Sequence, residues 1–518
     1  MTLKPEDLNW ATWLNKEPKG VLIALDKQIE WMLPWWWENY SKHNTIPLAF
    51  IDFGMTPGMA EWCKGKGSYI PYPYPEFPVA TRDEINPELV ALWEEGTDPD
   101  YIWKSRYTWL CKPLALTLTP FQQTVWLDID CEVLGPLDRI FEYIDKSRYG
   151  LALAKEPYMV LKYLKTQGLY DEGKELFNCG VVAYRENNPL ILEWAQECIQ
   201  KNYLFRDDKD ILCDMLYRKK IHISNLPQKY NWRANINGYN PDAIVIHWVG
   251  TRGKKIIAKS LTSEFPNYIP PKANNIQWSG NYQKGDRGVL IASDSFSEVC
   301  LPWCVHNYRF HNSLPIVFID LGMSTKAQTW CKQYGQVISF HNPIKVAQKE
   351  EINIKIVDIW ESRHLGVFFW KARQKWFNKP FALLLTPFEY TLWLDIDCQV
   401  MGSIEPLFDL IQSDPVGLAL AKQDDQFNSG VIPYRYGIPL ITKWAKECIE
   451  MNHIFLGDQD VLSYIIQKEK LKIPIVPPKY NWRSVNEGEN PEAQILHWAG
   501  PTAKKYIGEQ LKSFEKIS

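Results

Sequence analysis

The second half of this chain restates the first, so any fold must be built twice. KGVLIALD (Lys19 to Asp26) returns as RGVLIASD (Arg287 to Asp294), and IPLAFIDFGM returns as LPIVFIDLGM. The run KPLALTLTPFQQTVWLDIDCEVLG, Lys112 to Gly135, returns as KPFALLLTPFEYTLWLDIDCQVMG, Lys379 to Gly402, with 17 of 24 positions identical. FNCGVVAYR (Phe177 to Arg185) matches FNSGVIPYR (Phe427 to Arg435), KYNWR occurs at Lys229 and Lys479, and IVIHWVG matches ILHWAG. The period is far longer than that of a solenoid repeat, so each copy is a domain in its own right.

The offset between copies is 267 residues at Asp128 and Asp395 but 250 at His247 and His497, which places 17 extra residues near Glu156 to Gly173 of the first copy. That segment is expected to be a loop or short helix peculiar to one domain. Phe265 to Asp286 is rich in Pro, Asn, Gly and Lys without apolar period and reads as a linker. The domains are therefore expected at residues 1–264 and 287–518.

Each copy opens with an apolar run (Val21 to Leu25; Val289 to Ala292) and reaches a second one (Leu48 to Phe53; Pro315 to Ile319) after a helical stretch. Apolar runs alternating with helical patterns predict an α/β fold with a parallel-dominated sheet covered on both faces. Ligands of such sheets bind beyond the carboxyl ends of the strands.

Bulk properties exclude several classes. A formal net charge of −3 offers no basic excess for a nucleic-acid backbone. No stretch of about 18 uncharged apolar residues suggests a membrane span, and the N-terminal residues lack a signal-peptide core. Eleven cysteines without a C-x-x-C pair suggest buried thiols in a reducing compartment, so a cytoplasmic protein is expected. The 24 tryptophans, including Trp35, Trp36 and Trp37, are first of all core residues, although indole faces also suit sugar rings.

The chemistry concentrates in VWLDID and TLWLDID. Alternation along a strand is expected to send Asp128 and Asp130, and likewise Asp395 and Asp397, to one side. Two adjacent carboxylates repel unless a cation lies between them, and a divalent ion bridging carboxylates and phosphate oxygens is the usual solution. His247 and His497, each ending an apolar run, are candidate third ligands. Two oxygen donors with one imidazole suit Mn²⁺ somewhat better than Mg²⁺. Gly250 with Lys254 (or Lys255), and Gly500 with Lys504 (or Lys505), then offer close backbone approach and a point charge for a diphosphate.

Taken in order, the apolar strand into D-x-D, F-N-[CS]-G-V, a second D-x-D-[IV]-L and H-x-x-G with a nearby lysine resemble the GT-A fold glycosyltransferases, in particular glycosyltransferase family 8, over most of both copies. The resemblance implies two tandem GT-A domains, a nucleotide-sugar donor with UDP favoured, and retention of anomeric configuration. It implies Mn²⁺ on Asp128, Asp130 and His247, and on Asp395, Asp397 and His497. It places Asp26 and Asp294 on the nucleotide base, Arg106 and Arg373 near the donor, and Asn178 and Asn428 on the donor sugar. Asp208 and Asp458 would face the acceptor side of that sugar. Acceptors would be a glycan, protein or lipid, and nothing in the sequence opposes a homo-oligomer.

Two departures stand out. The lysine after H-x-x-G comes one residue late and lacks the family's Pro-Trp, and where the second copy keeps Gln459 the first has Lys209. A cation beside the reacting sugar would oppose an oxocarbenium-like transition state, so the second domain is expected to be the more competent transferase. The competing class is a non-catalytic nucleotide-sugar or carbohydrate-binding protein with degenerate domains. A sugar-nucleotide pyrophosphorylase would need a glycine-rich basic loop after the first strand, and a haloacid-dehalogenase phosphatase would need D-x-D-x-T; neither pattern is present.

Overall fold

The computed structural model describes residues 2–95, 98–166, 173–262, 268–273, 276–278, 282–341, 343–363, 368–423, 426–483 and 487–511. The chain divides into two compact units, Met1–Phe265 with Ile354–Ile359, and Pro266–Asn353 with Trp360–Ser518. Parts of the expected linker, and residues 167–172 of the extra segment, lie outside the described residues.

In the first unit the strands are β1 (Glu17–Leu25), β2 (Leu48–Asp52), β3 (Ser68–Pro71), β4 (Phe121–Leu127), β5 (Cys131–Val133), β6 (Leu151–Lys155), β7 (Phe177–Arg185), β8 (Ser224–Asn225) and β9 (Val245–His247). Seven form one sheet in the order β3-β2-β1-β4-β7-β6-β8, and β5 pairs with β9 apart from it. β1 is parallel to β2 and β4, and β2 to β3. Val21, Leu22, Ile23 and Leu25 are wholly buried, as a central parallel strand covered on both faces requires. Gly20 belongs to this design, because a Cβ there would lie 2.3 Å from the Phe121 ring on β4.

The second unit repeats the plan with β10 (Gln283–Ser293), β11 (Ile316–Asp320), β12 (Gly335–Ser339), β13 (Phe388–Leu394), β14 (Cys398–Val400), β15 (Leu420–Gln423), β16 (Gln426–Asn428), β17 (Val431–Arg435), β18 (Ile475–Val476) and β19 (Ile495–His497). Its sheet runs β12-β11-β10-β13-β17, with β14 paired to β19 and β16-β15-β18 as a third group. Gly288 meets Phe388 as Gly20 meets Phe121, at 2.2 Å from its would-be Cβ.

The sheets are parallel-dominated, as expected, but β7 and β17 enter antiparallel beside β4 and β13. β7 carries F-N-C-G-V whole, while F-N-S-G-V runs from β16 into Val431 of β17, and the direction of β7 sets Asn178 and Gly180 against the end of β4. Five tryptophans, Trp36, Trp194, Trp248, Trp303 and Trp444, are almost wholly buried, which is the core role expected of them. Each such ring contributes roughly 2–3 kcal/mol of apolar burial. Trp194 and Trp444 do more, since their indole N–H groups bond the carbonyls of Asp208 and Asp458 and fix where the helices Asp208–Arg218 and Asp458–Glu469 begin. The extra segment holds a helix, Tyr158–Thr166. No helix among the described residues is long and apolar enough to cross a membrane, and all eleven cysteines are free thiols.

Candidate metal and donor site

β4 ends at Leu127, and the D-x-D residues do not continue it. The chain turns instead: the Cys131 N–H donates to the Asp128 carbonyl at 2.9 Å, and the Asp128 N–H to Gly180 on β7 at 2.8 Å. The expected strand alternation is thus corrected to a tight turn, which brings the two carboxylates together because the backbone reverses between them. Asp395 does the same, with Cys398 and Gly430 as partners.

After the turn, β5 pairs antiparallel with β9 so that Cys131 faces His247, and β14 pairs with β19 so that Cys398 faces His497. That short ladder carries a histidine from far along the chain to the D-x-D turn. The His247 Nε2 lies 3.3 Å from Asp130 Oδ1 and 3.8 Å from Asp128 Oδ2. His497 Nε2 lies 3.4 Å from Asp397 Oδ1 and 4.0 Å from Asp395 Oδ2. Gly180 makes room for the ring, since a Cβ there would lie 2.1 Å from it; Gly430 stands against His497 in the same way.

The imidazole tautomer follows from its other neighbours. Asn178 Oδ1 accepts from the Gly180 N–H, which fixes that amide's orientation, and it lies 2.9 Å from His247 Nδ1. Nδ1 therefore carries the proton and donates. In the second unit Nδ1 donates to Asn481, whose amide N–H in turn bonds Asn428. When neutral, the ring presents a lone pair at Nε2 toward carboxylate oxygens. Acceptors facing acceptors in a buried site repel unless a proton or a cation lies between them. Asp130, Cys131 and His247, and likewise Asp397, Cys398 and His497, have ligand atoms mutually within 4.8 Å and are buried, so these residues fit a divalent ion.

Asp128 stands at the edge of this group, and its oxygens are already engaged. Lys112 Nζ donates to it at 2.9 Å and the Trp126 indole N–H at 2.7 Å. Lys379 and Trp393 hold Asp395 in the same way, at 3.0 and 2.7 Å. Burial works against the Lys112 charge, but Asp128 and Asp208 outweigh it and keep the ammonium protonated. Sequence reasoning had passed over Lys112 and Lys379, although each opens the identical K-P-x-A-L run.

It had favoured Arg106 and Arg373, and here the structure corrects it. Arg106 donates to the backbone carbonyls of Ala80 at 2.6 Å and Phe205 at 3.0 Å, and also to that of Asn202. Trp93 and Trp103 flank its guanidinium. Arg373 repeats this with Leu456, Ala347, Asn452 and Phe455. Both arginines are 1 % exposed struts that tie loops together. Asn178, expected on the donor sugar, lies with its oxygen 2.9 Å from His247 Nδ1 and its amide N–H on Glu156 at 3.1 Å.

The remaining candidates lie as follows. Lys254 Nζ is 3.8 Å from Asp130 Oδ2 and donates to the Tyr101 hydroxyl at 3.0 Å, while Gly250, at φ +78°, begins the helix that carries it. Gly500 has φ +92°, and the side chain of Lys504 lies outside the described residues. Asp26 and Asp294 follow β1 and β10. Each accepts backbone N–H groups two and three residues on, and Asp294 also pairs with Lys375. Asp208 and Asp458 are buried to 4 % exposure each. Burial pushes both up to about 7, against the pull of Lys112 and Lys379.

No family model matches the chain, and no curated protein matches it. Solved structures that match the chain include a galactosyltransferase, LgtC, in complex with donor and acceptor sugar analogues, at 15% identity over 45% of this chain and 97% of that one, TM-score 0.30. Mouse xyloside xylosyltransferase 1 matches at 13% identity over 45% of this chain and 98% of its own, TM-score 0.30. A bifunctional glycosyltransferase, WbbM, matches at 9% identity over 96% of this chain and 98% of its own, TM-score 0.29.

Proposed function

We propose that this chain is a tandem glycosyltransferase of the GT-A type, related to family 8, with one nucleotide-sugar site in each unit at the D-x-D turn. The observation that carries the reading is the convergence of His247 Nε2 with the Asp130 and Asp128 oxygens, repeated at His497, Asp397 and Asp395. A pair of such clusters at the carboxyl ends of parallel strands is what a cation-bridged diphosphate needs.

Asp130 and His247, and Asp397 and His497, would hold the ion, with Asp128 and Asp395 at its edge; Mn²⁺ suits this donor set, and Mg²⁺ is the alternative. When bound, such an ion stabilises the negative charge that develops on a departing nucleoside diphosphate. The chain's own cations act alongside it. Lys254 stands where the diphosphate would lie, and Lys112 holds Asp128 in place. Asp208 and Asp458 border the sugar, and Asp26 and Asp294 approach the base. UDP-sugars are the favoured donors, retention the favoured outcome, and a glycan, protein or lipid hydroxyl the acceptor.

Calorimetry of the full chain with UDP and Mn²⁺ tests this. Metal-dependent binding is expected in the wild type and lost in the chain carrying both Asp130→Asn and Asp397→Asn. Undiminished binding in that double variant would refute the reading.

A further inference from the structure

Around the sugar side of the first unit, four charged residues stand where the second copy has none: Glu156 for Gln423, Arg206 for Leu456, Asp207 for Gly457 and Lys209 for Gln459. Their charges cancel, so the exchange is a set and not four independent drifts.

The first unit shows how the set is wired. Glu156, 2 % exposed, pairs with Arg233 and accepts from Asn178 at 3.1 Å. Asn178 in turn bonds His247, so a continuous chain of contacts joins Glu156 to the metal group. Lys209 Nζ stands 3.6 Å from Glu156 and 3.8 Å from Asp210, and Arg206 pairs with Asp207 at 3.3 Å. Of the Glu156–Lys209 pair, Lys209 is the solvent-facing member, with 22 % of its side chain exposed against 1 % for Glu156. Those two ion pairs lie beyond hydrogen-bond distance, so they hold the ammonium in place without using its donors. Burial works against the charge, but Asp207, Asp210 and Glu156 outweigh it. In the second unit the Gln459 oxygen accepts from the Ser429 N–H at 3.0 Å, which turns its amide nitrogen outward.

Resting on the transferase reading above, we propose that Lys209, positioned by Glu156, makes the first unit selective for a nucleotide donor whose sugar bears a carboxylate, the uronic-acid class, while Gln459 suits a neutral hexose in the second. An ammonium has three donors and no acceptor, and a carboxylate answers it with an opposite charge where a hydroxyl offers only a dipole. Such a sugar also removes the objection to a cation here. Its own carboxylate lies between Lys209 and the ring on which positive charge develops.

The test uses the full chain with Asp397→Asn, so that binding reports the first unit, with Mn²⁺ and either UDP-glucuronic acid or UDP-glucose in the calorimeter. UDP-glucuronic acid is expected to bind about tenfold or more tighter. Lys209→Gln abolishes that preference, whereas Lys209→Arg keeps it. The double variant Glu156→Gln with Lys209→Gln carries the residues of the second copy at both positions and should show the same lack of preference as Lys209→Gln. Equal affinities in the parent, or a preference that survives Lys209→Gln, overturn this inference and leave the transferase reading standing. Failure of UDP and both sugars to bind even the wild-type chain with Mn²⁺ overturns both.

Discussion

Cys131 faces His247 across the two-stranded ladder of β5 and β9, and Cys398 faces His497 across β14 and β19. This register, more than the D-x-D turn itself, creates the site, because it fixes the imidazole opposite Asp130 at a set depth. The thiol serves the backbone, with Cys131 Sγ donating to the Gly180 carbonyl at 3.5 Å. Burial pushes that thiol well above its ordinary pKa, so without a metal it packs as a small neutral group.

Gly180 and Gly430 are the sites where one methyl group should matter most. Alanine at either would place Cβ 2.1 Å from the imidazole and rotate it off its carboxylate. Mn²⁺ affinity of the altered unit is expected to fall about 10–100-fold, as for lost orientation of a metal-binding histidine. Overpacking should cost a further roughly 1–3 kcal/mol of stability. Metal titration of Gly180→Ala combined with Asp397→Asn reads the first unit alone; unchanged affinity would show that the ring position is immaterial.

The Lys112–Asp128 pair is largely buried, so breaking one side leaves a charge without its partner. Lys112→Met is expected to cost about 3 kcal/mol in chemical denaturation, and Lys112→Met with Asp128→Leu to recover much of it. Equal losses in the single and double variants would deny the coupling. Lys379→Met should repeat the result in the second unit.

How much of this was legible in the sequence depends on distance along the chain. Local signals held: Val21 to Leu25 and Leu48 to Asp52 are strands, and the repeated W-L-D runs end at Asp128 and Asp395. The direction of β7 was not legible, because an apolar run has no polarity until its partner is known. Lys112 and Arg106 were indistinguishable for the same reason. Both are basic, both recur at the same spacing in the two copies, and both lie on the helix Pro99–Leu116. Only tertiary packing turns one toward Asp128 and the other toward backbone carbonyls. Glu156 opposite Gln423 was visible in the alignment of the copies, but its meaning needed Lys209 to lie beside it.

Arg106 and Arg373 should accordingly behave as struts. Arg106→Leu leaves the carbonyls of Ala80, Asn202 and Phe205 without donors, and a loss of roughly 2–4 kcal/mol is expected. Donor affinity of the folded fraction should change less than about twofold, under half a kcal/mol. A large drop in affinity with little loss of stability would instead restore the arginine to the donor site.

The carboxyls of Asp208 and Asp458 give the protein a pH signature of unusual sign. Their folded-state pKa is raised from 3.8 to about 7, chiefly by burial, so between those values the folded chain holds protons that the unfolded chain has released. Stability contributed by these groups must therefore fall as pH rises from about 4 toward 7 and then level off, opposite to an ordinary ion-paired aspartate. Asn at both positions keeps the backbone carbonyls that Trp194 and Trp444 bond and removes the titration. With metal chelated, the stability of the Asp208→Asn, Asp458→Asn chain relative to wild type should climb across that interval, by on the order of a few kcal/mol per carboxyl, and stay constant above it. Taking the difference between the two proteins cancels every other titrating group. A difference that is flat from about pH 4 to 8 would mean that neither carboxyl is held protonated in the fold.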